Sequence, residues 1–262
     1  MKIATWNVNS IRTRLDHVLS WLKTHEVDLL CVQETKVVDA DFPRSPFTEL
    51  GYHTYISGQK SYNGVALISR TELADVTIGF TPLVGEAIVE NLDEQKRVIS
   101  GVLDGIRVVN LYVPNGSEIG SEKYDYKLRW LDVLRHYLKT SLTQYPDLLV
   151  CGDFNIAPED RDIYDPKGKE KHIMSSPVER EALRRSVLDL GFIDACRRFH
   201  EAEQFTWWDY RTAAFQRNRG WRIDHHYLSA GLGDRLQSCE VDITPRQLDK
   251  PSDHAPVTVE LH

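Results

Sequence analysis

Apolar and polar residues alternate along Lys2-Ile3-Ala4-Thr5-Trp6-Asn7-Val8-Asn9, which predicts a first strand ending in two asparagines. Leu15, Val18, Leu19 and Leu22 then recur at helical spacing, so an amphipathic helix is expected through about Lys23. Residues 28–36 read as a second, buried strand that ends in a carboxylate, Glu34. A strand–helix–strand opening points to an α/β layer. Two further strands are predicted at residues 52–57 and 65–69, with Asn63-Gly64 as the hairpin turn. Residues 71–100 have β-rich patches but no clean period. Residues 106–113 form a strand running into the turn Pro114-Asn115-Gly116. Leu128, Leu131, Leu134, Leu138 and Leu142 mark a long helix. It leads to the apolar run 148–151, a buried strand closed by Gly152. Ser176-Pro177-Val178-Glu179 carries a capping serine, proline at the first helical position and glutamate three after the cap. That helix is expected to run through Leu183, Val187 and Leu190 to Gly191. Later strands are predicted at 222–229, 239–244 and 255–261. No linker, repeat or low-complexity segment interrupts the pattern, so one domain over residues 1–262 is expected.

Composition narrows the class. With 41% hydrophobic and 27% charged residues, the 262-residue chain has the balance of a globular protein with a sizeable core. No apolar run approaches the roughly 20 residues of a membrane span, and the N-terminus has no signal-peptide pattern. Cys31, Cys151, Cys196 and Cys239 are far apart, without a Cys-x-x-Cys, and indicate neither a disulfide framework nor a zinc knuckle. A reducing cytoplasm is the expected compartment, at the nucleoid if the source is bacterial or archaeal. The net charge of −7 is not that of a generic nucleic-acid binder. A polyanionic partner would need a local basic patch or a metal offsetting the acidic site.

The candidate chemistry gathers at strand ends. Asp153 and Asn155 sit two apart after the buried strand 148–151, so an extended backbone would send both side chains to one face. A carboxylate beside an amide suits the binding and activation of water next to a phosphate or metal. An Asx turn closing the strand would use the same two residues. Asn7, Glu34 and Asp253-His254 also lie at strand ends, and strand ends on one edge of an α/β fold share a crevice. Hard oxygen donors without cysteine point to Mg²⁺ or Mn²⁺ rather than zinc. Asp224 could hold a histidine in one tautomer.

Six ordered motifs carry a resemblance. They are Trp6-Asn7-Val8-Asn9-Ser10-Ile11-Arg12, Gln33-Glu34-Thr35-Lys36, Tyr112-Val113-Pro114-Asn115-Gly116, Gly152-Asp153-Phe154-Asn155-Ile156-Ala157-Pro158, Arg222-Ile223-Asp224-His225 and Ser252-Asp253-His254-Ala255-Pro256. Together the chain resembles the exonuclease III family of apurinic/apyrimidinic endonucleases, over residues 6 to 256. The resemblance implies a four-layered α/β sandwich with two central mixed sheets. It also implies a Mg²⁺-dependent phosphodiesterase, with Mn²⁺ as an alternative, acting as a monomer on double-stranded DNA with abasic sites or blocked 3′ ends. By the resemblance Glu34 is the main metal ligand, with Asn7 and Asp253 nearby. Asp153 handles the attacking water, Asn155 partners it at the phosphate, and His254, oriented by Asp224, contacts a phosphate oxygen. Tyr112 lies near the leaving oxygen. With two ions in place of one, Asp153, Asn155 and His254 would become ligands.

Arg211, Arg217, Arg219 and Arg222 fall in a stretch without acidic residues, flanked or closed by Phe205, Trp207, Trp208 and Trp221. Basic residues interleaved with aromatics suit phosphate contact and packing on an unstacked sugar or base. Phe205 and Trp208 would serve equally as core residues. The resemblance places Trp207, Trp221 and Ile223 around a flipped-out abasic sugar. Arg12, Arg14, Lys36 and Lys60 could extend the basic patch. Two residues depart from the family pattern. His226 stands where an aliphatic residue is common and is read as structural. Met174 borders the sugar pocket where a small residue is common, which bears on the balance between abasic-site cleavage and 3′-end trimming. Two other classes compete: a catalytically silent nucleic-acid-binding regulator, and a phosphatase or sphingomyelinase-type hydrolase of the wider superfamily. The retained carboxylates argue against the first, and the arginine–tryptophan loop against the second.

Overall fold

In the computed structural model, which describes residues 1–262, twelve strands form two six-stranded sheets. The first sheet holds β1 (Lys2–Asn7), β2 (Leu29–Gln33), β3 (His53–Ser57), β4 (Val65–Ser69), β11 (Leu236–Val241) and β12 (Val257–Leu261). The second holds β5 (Ala74–Ile78), β6 (Val98–Leu103), β7 (Ile106–Tyr112), β8 (Leu148–Asp153), β9 (Ile193–Asp194) and β10 (Asp224–Leu228). Their orders are β11-β12-β1-β2-β4-β3 and β5-β6-β7-β8-β10-β9. Each sheet has one parallel pair at its centre, β1–β2 and β7–β8, with antiparallel neighbours on both sides. The C-terminal ends of β1 and β2 therefore share an edge with the start of β12, and those of β7 and β8 share one with the start of β10.

The period of two assigns the layers. Ile3, Leu29 and Cys31 from one sheet meet Val108, Leu149 and Cys151 from the other in an inter-sheet core. Their sequence neighbours Ala4, Trp6, Leu30 and Val32 face outward, where Val18, Trp21 and Leu22 of the helix Leu15–His25 cover them. On the far side Val109, Leu111 and Val150 pack under Trp130, Leu134 and Leu138 of the helix Glu122–Gln144. Strands buried on both faces explain why several read as continuous apolar runs. The order helix, sheet, sheet, helix is the four-layered sandwich that the motifs imply. Both Cys31 and Cys151 are small core residues, and all four cysteines are free and buried. No helix is long and apolar enough to cross a membrane.

Buried polar side chains fix the sheets against each other. Gln33 Nε2 donates to Thr5 Oγ1 (2.8 Å) and to Asn110 Oδ1 (2.7 Å), while Asn110 Nδ2 donates to the carbonyls of Val32 and Ala66. His226 on β10 reaches the Val257 carbonyl on β12 through Nε2 (3.0 Å), the structural role expected of it. These contacts lie next to the strand ends that carry the candidate chemistry.

Several boundaries differ from expectation. β3 and β4 do pair, with Ser57 opposite Val65, but residues 58–64 all belong to the connection. Asn63 and Gly64 take positive φ (50° and 90°) as part of that longer loop, not as a two-residue hairpin turn. The loop docks on the segment after β2: a Cβ on Gly64 would lie 2.1 Å from Thr35 Oγ1, and the Lys36 N–H donates to the Asn63 carbonyl (3.0 Å). The helix over 128–142 begins earlier, because Ser121 accepts the Tyr124 N–H as its cap. Ser176 and Glu179 do form a reciprocal capping box, but that helix is Pro177–Ser186. Val187 leaves helical geometry (φ −126°), and a separate 3₁₀ turn, Leu188–Leu190, runs to Gly191 (φ 90°). Residues 71–100 resolve into β5, short helices and β6.

Candidate active site

Register brings the first pair together. β8 and β10 run antiparallel with Asp153 directly opposite Asp224, so both carboxylates leave the same face of the sheet. His254, ahead of β12, comes from the other sheet: its Nδ1 lies 2.9 Å from Asp224 Oδ2 and its Nε2 lies 3.7 Å from Asp153 Oδ2. All three are buried, and their potential ligand atoms lie within 4.8 Å of one another. Asp224 is held in turn by Thr206, whose hydroxyl donates to Oδ2 (2.6 Å). Asp224 thus orients His254, in the way the sequence suggests.

Glu34 joins this group through Asn7. The fully buried Asn7 amide donates to Glu34 Oε1 and to Asp153 Oδ2, both at 2.9 Å. Its own oxygen accepts the Asn9 N–H (3.0 Å). Asn7 therefore acts here as a donor that spaces two carboxylates. The Tyr112 hydroxyl also donates to Glu34 Oε1 (2.8 Å), and Lys36 Nζ pairs with Oε2 (2.8 Å). Here the Lys36 ammonium pairs with Glu34 and donates to Asn9 Oδ1, which draws it toward the site. Asp253 is likewise engaged at both oxygens, by Asn9 Nδ2 (3.1 Å) and by the Trp207 indole N–H (2.9 Å). It ties a pocket wall to the site more directly than it offers an open ligand position.

Asn155 departs from the extended reading. Its backbone is left-handed (φ 49°), and its N–H donates to Asp153 Oδ1 (2.9 Å), which is the Asx turn. Its side chain points away from Asp153: Nδ2 donates to the Val113 carbonyl (2.9 Å) and Oδ1 accepts from Asn115 (3.1 Å). Period-two reasoning failed here because the strand ends at Asp153.

Charge and burial set the protonation states. Burial pushes the Asp153 carboxyl up to about 7; Asp224 and Glu34 add to this, against His254 and the Asn7 amide. Burial presses His254 downward, but Asp224, then Asp153 and Asp253, outweigh it and raise the imidazole to about 10. Burial and the neighbouring Glu34 and Asp153 lift the Tyr112 phenol well above its ordinary value, so it keeps its proton. At neutral pH the site therefore holds an imidazolium, a neutral phenol and a carboxylate poised to exchange a proton.

Beside this group lies a cavity of about 500 Å³, whose lining includes Met174, Trp207, Trp221, Lys169, His172 and Arg219. Trp207 and Trp221 meet edge to face, with ring centroids 6.5 Å apart, and bridge each other's backbones. Ile223, buried, packs with Met174 beneath them. Met174 is left-handed (φ 71°), and Glu179 Oε1 accepts its N–H (3.0 Å). Trp207, Trp221, Ile223 and Met174 are thus brought together as expected. Phe205 and Trp208 form a separate small core instead. Arg222 is not on the surface: it is buried between Asp162 (2.6 Å) and Asp194 (2.8 Å). Arg14 is spent on the carbonyls of Asn9, Lys250 and Pro251. Arg12, Lys60, Arg211, Arg217 and Arg219 remain exposed, with Lys167 and Lys171 adding charge that the sequence reading missed. Thr206 and Lys127 were also missed, since nothing in their local sequence distinguishes them, and Asn9 was quoted in a motif without a role. Asn115 was quoted as a turn residue and within a motif, but given no role of its own.

The family model described as the endonuclease/exonuclease/phosphatase family matches residues 4–254. The chain belongs to that family. Among curated members, an exodeoxyribonuclease from Bacillus subtilis is 34% identical over 98% of both chains. Two family structures superpose closely. A 3′ phosphatase, NExo, from Neisseria, bound to a product DNA hairpin, is 42% identical with a TM-score of 0.95, covering 100% of this chain and 99% of its own. An AP endonuclease from Archaeoglobus fulgidus is 41% identical with a TM-score of 0.93, at the same coverage. The endonuclease/exonuclease/phosphatase fold and the exonuclease III resemblance therefore hold over the whole length, and the chain is a nuclease-type hydrolase.

Proposed function

We propose that the chain is a metal-dependent DNA-repair phosphodiesterase. It cleaves duplex DNA at abasic sites and trims 3′ ends through 3′–5′ exonuclease and 3′-phosphatase activity. One observation carries the reading: the Asp153–His254–Asp224 group, linked by Asn7 to Glu34, opens beside a tryptophan-walled cavity. The relatives' names support the substrate class.

In this reading Asp153 takes a proton from the attacking water, a task suited to a carboxyl held near neutrality. Oxygen from that water joins phosphorus, the bond to the 3′ oxygen breaks, and that oxygen gains a proton. The His254 imidazolium donates to a non-bridging phosphate oxygen where negative charge develops. Tyr112, whose hydroxyl donates to Glu34, would stay neutral beside the leaving oxygen. Asn155 and Asn115 hold the turn that frames Asp153.

The donor set fits a divalent cation. It offers hard oxygens without thiols, and the burial of Asp153 among carboxylates leaves an excess of negative charge. Glu34, through Oε2, would be the anchor and Lys36 its competitor, with Asp153 and Asp253 nearby. Mg²⁺ suits this set best and Mn²⁺ would substitute; when bound, it supplies Lewis-acid neutralisation of the phosphate. Exposed Arg12 and Arg211 would meet backbone phosphates, offsetting a chain that is acidic overall.

The deciding experiment compares three duplexes with Mg²⁺ and with EDTA: one with an internal abasic site, one with a 3′-phosphate and one with a plain recessed 3′ end. Mg²⁺-dependent processing of all three is expected, with the recessed end reporting the exonuclease activity. Undiminished activity in excess EDTA would remove the metal, and inertness toward all three would remove the function.

A further inference from the structure

Lys127 sits on the helix Glu122–Gln144, and its side chain has no exposed surface. Its three ammonium donors meet three acceptors: Glu179 Oε1 (2.6 Å), the Asn155 carbonyl (2.8 Å) and the Asn115 carbonyl (3.1 Å). Glu179 is equally buried. Besides Lys127 it accepts the Met174 N–H (3.0 Å), the Ser176 N–H (3.2 Å) and the Ser176 hydroxyl (2.7 Å). A fully dehydrated ion pair of this kind adds little net stability over a well-packed apolar pair of the same volume. Helix capping accounts for Glu179 and Ser176, but it makes no use of Lys127.

What Lys127 touches is informative. Asn115 follows β7 and its residue Tyr112; Asn155 follows β8 and its residue Asp153. One ammonium therefore holds both turns that frame the reacting groups. Through Glu179 the same pair grips the backbone of Met174, the wall of the adjoining cavity, in its left-handed conformation.

We infer that the buried Lys127–Glu179 pair is a positioning device. It sets the Asp153–Asn155 turn and the Met174 wall relative to one another, and so sets how well an internal, extruded sugar is cleaved relative to a terminal 3′-phosphate. This inference rests on the proposed function. A terminal phosphate needs only the turn in place, whereas an internal sugar needs turn and wall in mutual register.

The test uses Lys127→Met, which keeps the apolar stem but removes the donors, and the double variant Lys127→Met/Glu179→Gln, which removes both buried charges together. Measurements are kcat and KM on abasic and 3′-phosphate duplexes, together with urea stability. The single variant should be destabilised and the double variant should recover stability. In the double variant kcat on the abasic duplex should fall roughly 10–100-fold, as small misplacements of reacting groups do. KM should hold, and 3′-phosphate removal should fall much less. A stable double variant with the wild-type ratio of activities overturns the inference, and so does a double variant that cannot fold, since the pair would then be structural. Wild-type protein inert on both duplexes would instead overturn the function on which the inference rests.

Discussion

In the proposed mechanism Asp153 is the residue on which the chemistry turns. It is buried, raised to about 7, and bonded through Oδ1 to the Asn155 N–H and through Oδ2 to Asn7. Asp153→Asn keeps both the shape and an acceptor oxygen, so the fold should survive while the proton acceptor is lost. Turnover at saturating substrate should fall by about 10²–10⁴-fold, and near-wild-type single-turnover rates would transfer the role elsewhere. In the proposed function Met174 is the residue that bears on specificity. It lines the cavity that an extruded sugar would enter, and its φ of 71° is strained for any residue with a Cβ. Met174→Gly relieves that strain and enlarges the cavity together. It should raise kcat/KM on an abasic duplex relative to 3′-phosphate removal, with stability close to wild type. An unchanged ratio in the folded variant would separate Met174 from specificity.

At the scale of elements, β8 is the strand that everything else must fit. It pairs in parallel with β7 and antiparallel with β10, and it ends in Asp153. Gly152 makes that end possible: it takes φ 142°, and a Cβ there would lie 1.9 Å from the Leu111 carbonyl oxygen on β7. The obstacle is backbone of a central strand, which cannot swing aside as a flexible side chain would. Gly152→Ala should cost about 3 kcal/mol or more, at the upper end of overpacking penalties. A lowered urea midpoint, or loss of soluble protein, would register it. A wild-type midpoint would mean that β7 and β8 separate more easily than their buried packing implies.

Across the whole molecule, buried charges join segments far apart in sequence. Arg222 links Asp162 and Asp194, with Arg197 also on Asp162, and donates to His225 Nδ1 (3.1 Å). His225 in turn bonds the Ile156 carbonyl through Nε2 (2.9 Å), so it is held as the neutral tautomer. Burial first, and the Arg222 charge second, lower its pKa to about 4. An unfolded histidine titrates near 6.5, so between about 6.5 and 4 the unfolded chain binds the extra proton. His225 therefore contributes stability that is fully present above about pH 6.5 and is lost as pH falls toward 4, by up to about 3 kcal/mol. Asp153 titrates in the same window with the opposite sign, so the informative quantity is a difference. The unfolding free energy of wild type minus that of His225→Gln should fall from pH 7 to pH 4. A flat difference would mean that His225 is protonated in the native state.

Most elements, their order and the candidates for the reacting groups were legible in the sequence. Period-two and period-3.6 patterns are local, and Glu34, Asp153, Asp224 and His254 stand in short motifs that carry the family resemblance. The Ser176–Glu179 cap was legible for the same reason, since all its partners lie within four residues. Only the tertiary structure decided how side chains were spent. Arg222 and Lys36 read as free cations until their carboxylate partners arrived from elsewhere in the fold. Asn155 read as a neighbour of Asp153 until the left-handed turn gave its amide to Val113 and Asn115. Lys127 carried no signal in the sequence; burial leaves it only Glu179 and two carbonyls to bond. Hydrophobic period reports which face of an element is covered. A buried polar group must instead find its partner in three dimensions, and the distance along the chain to that partner carries no local signature.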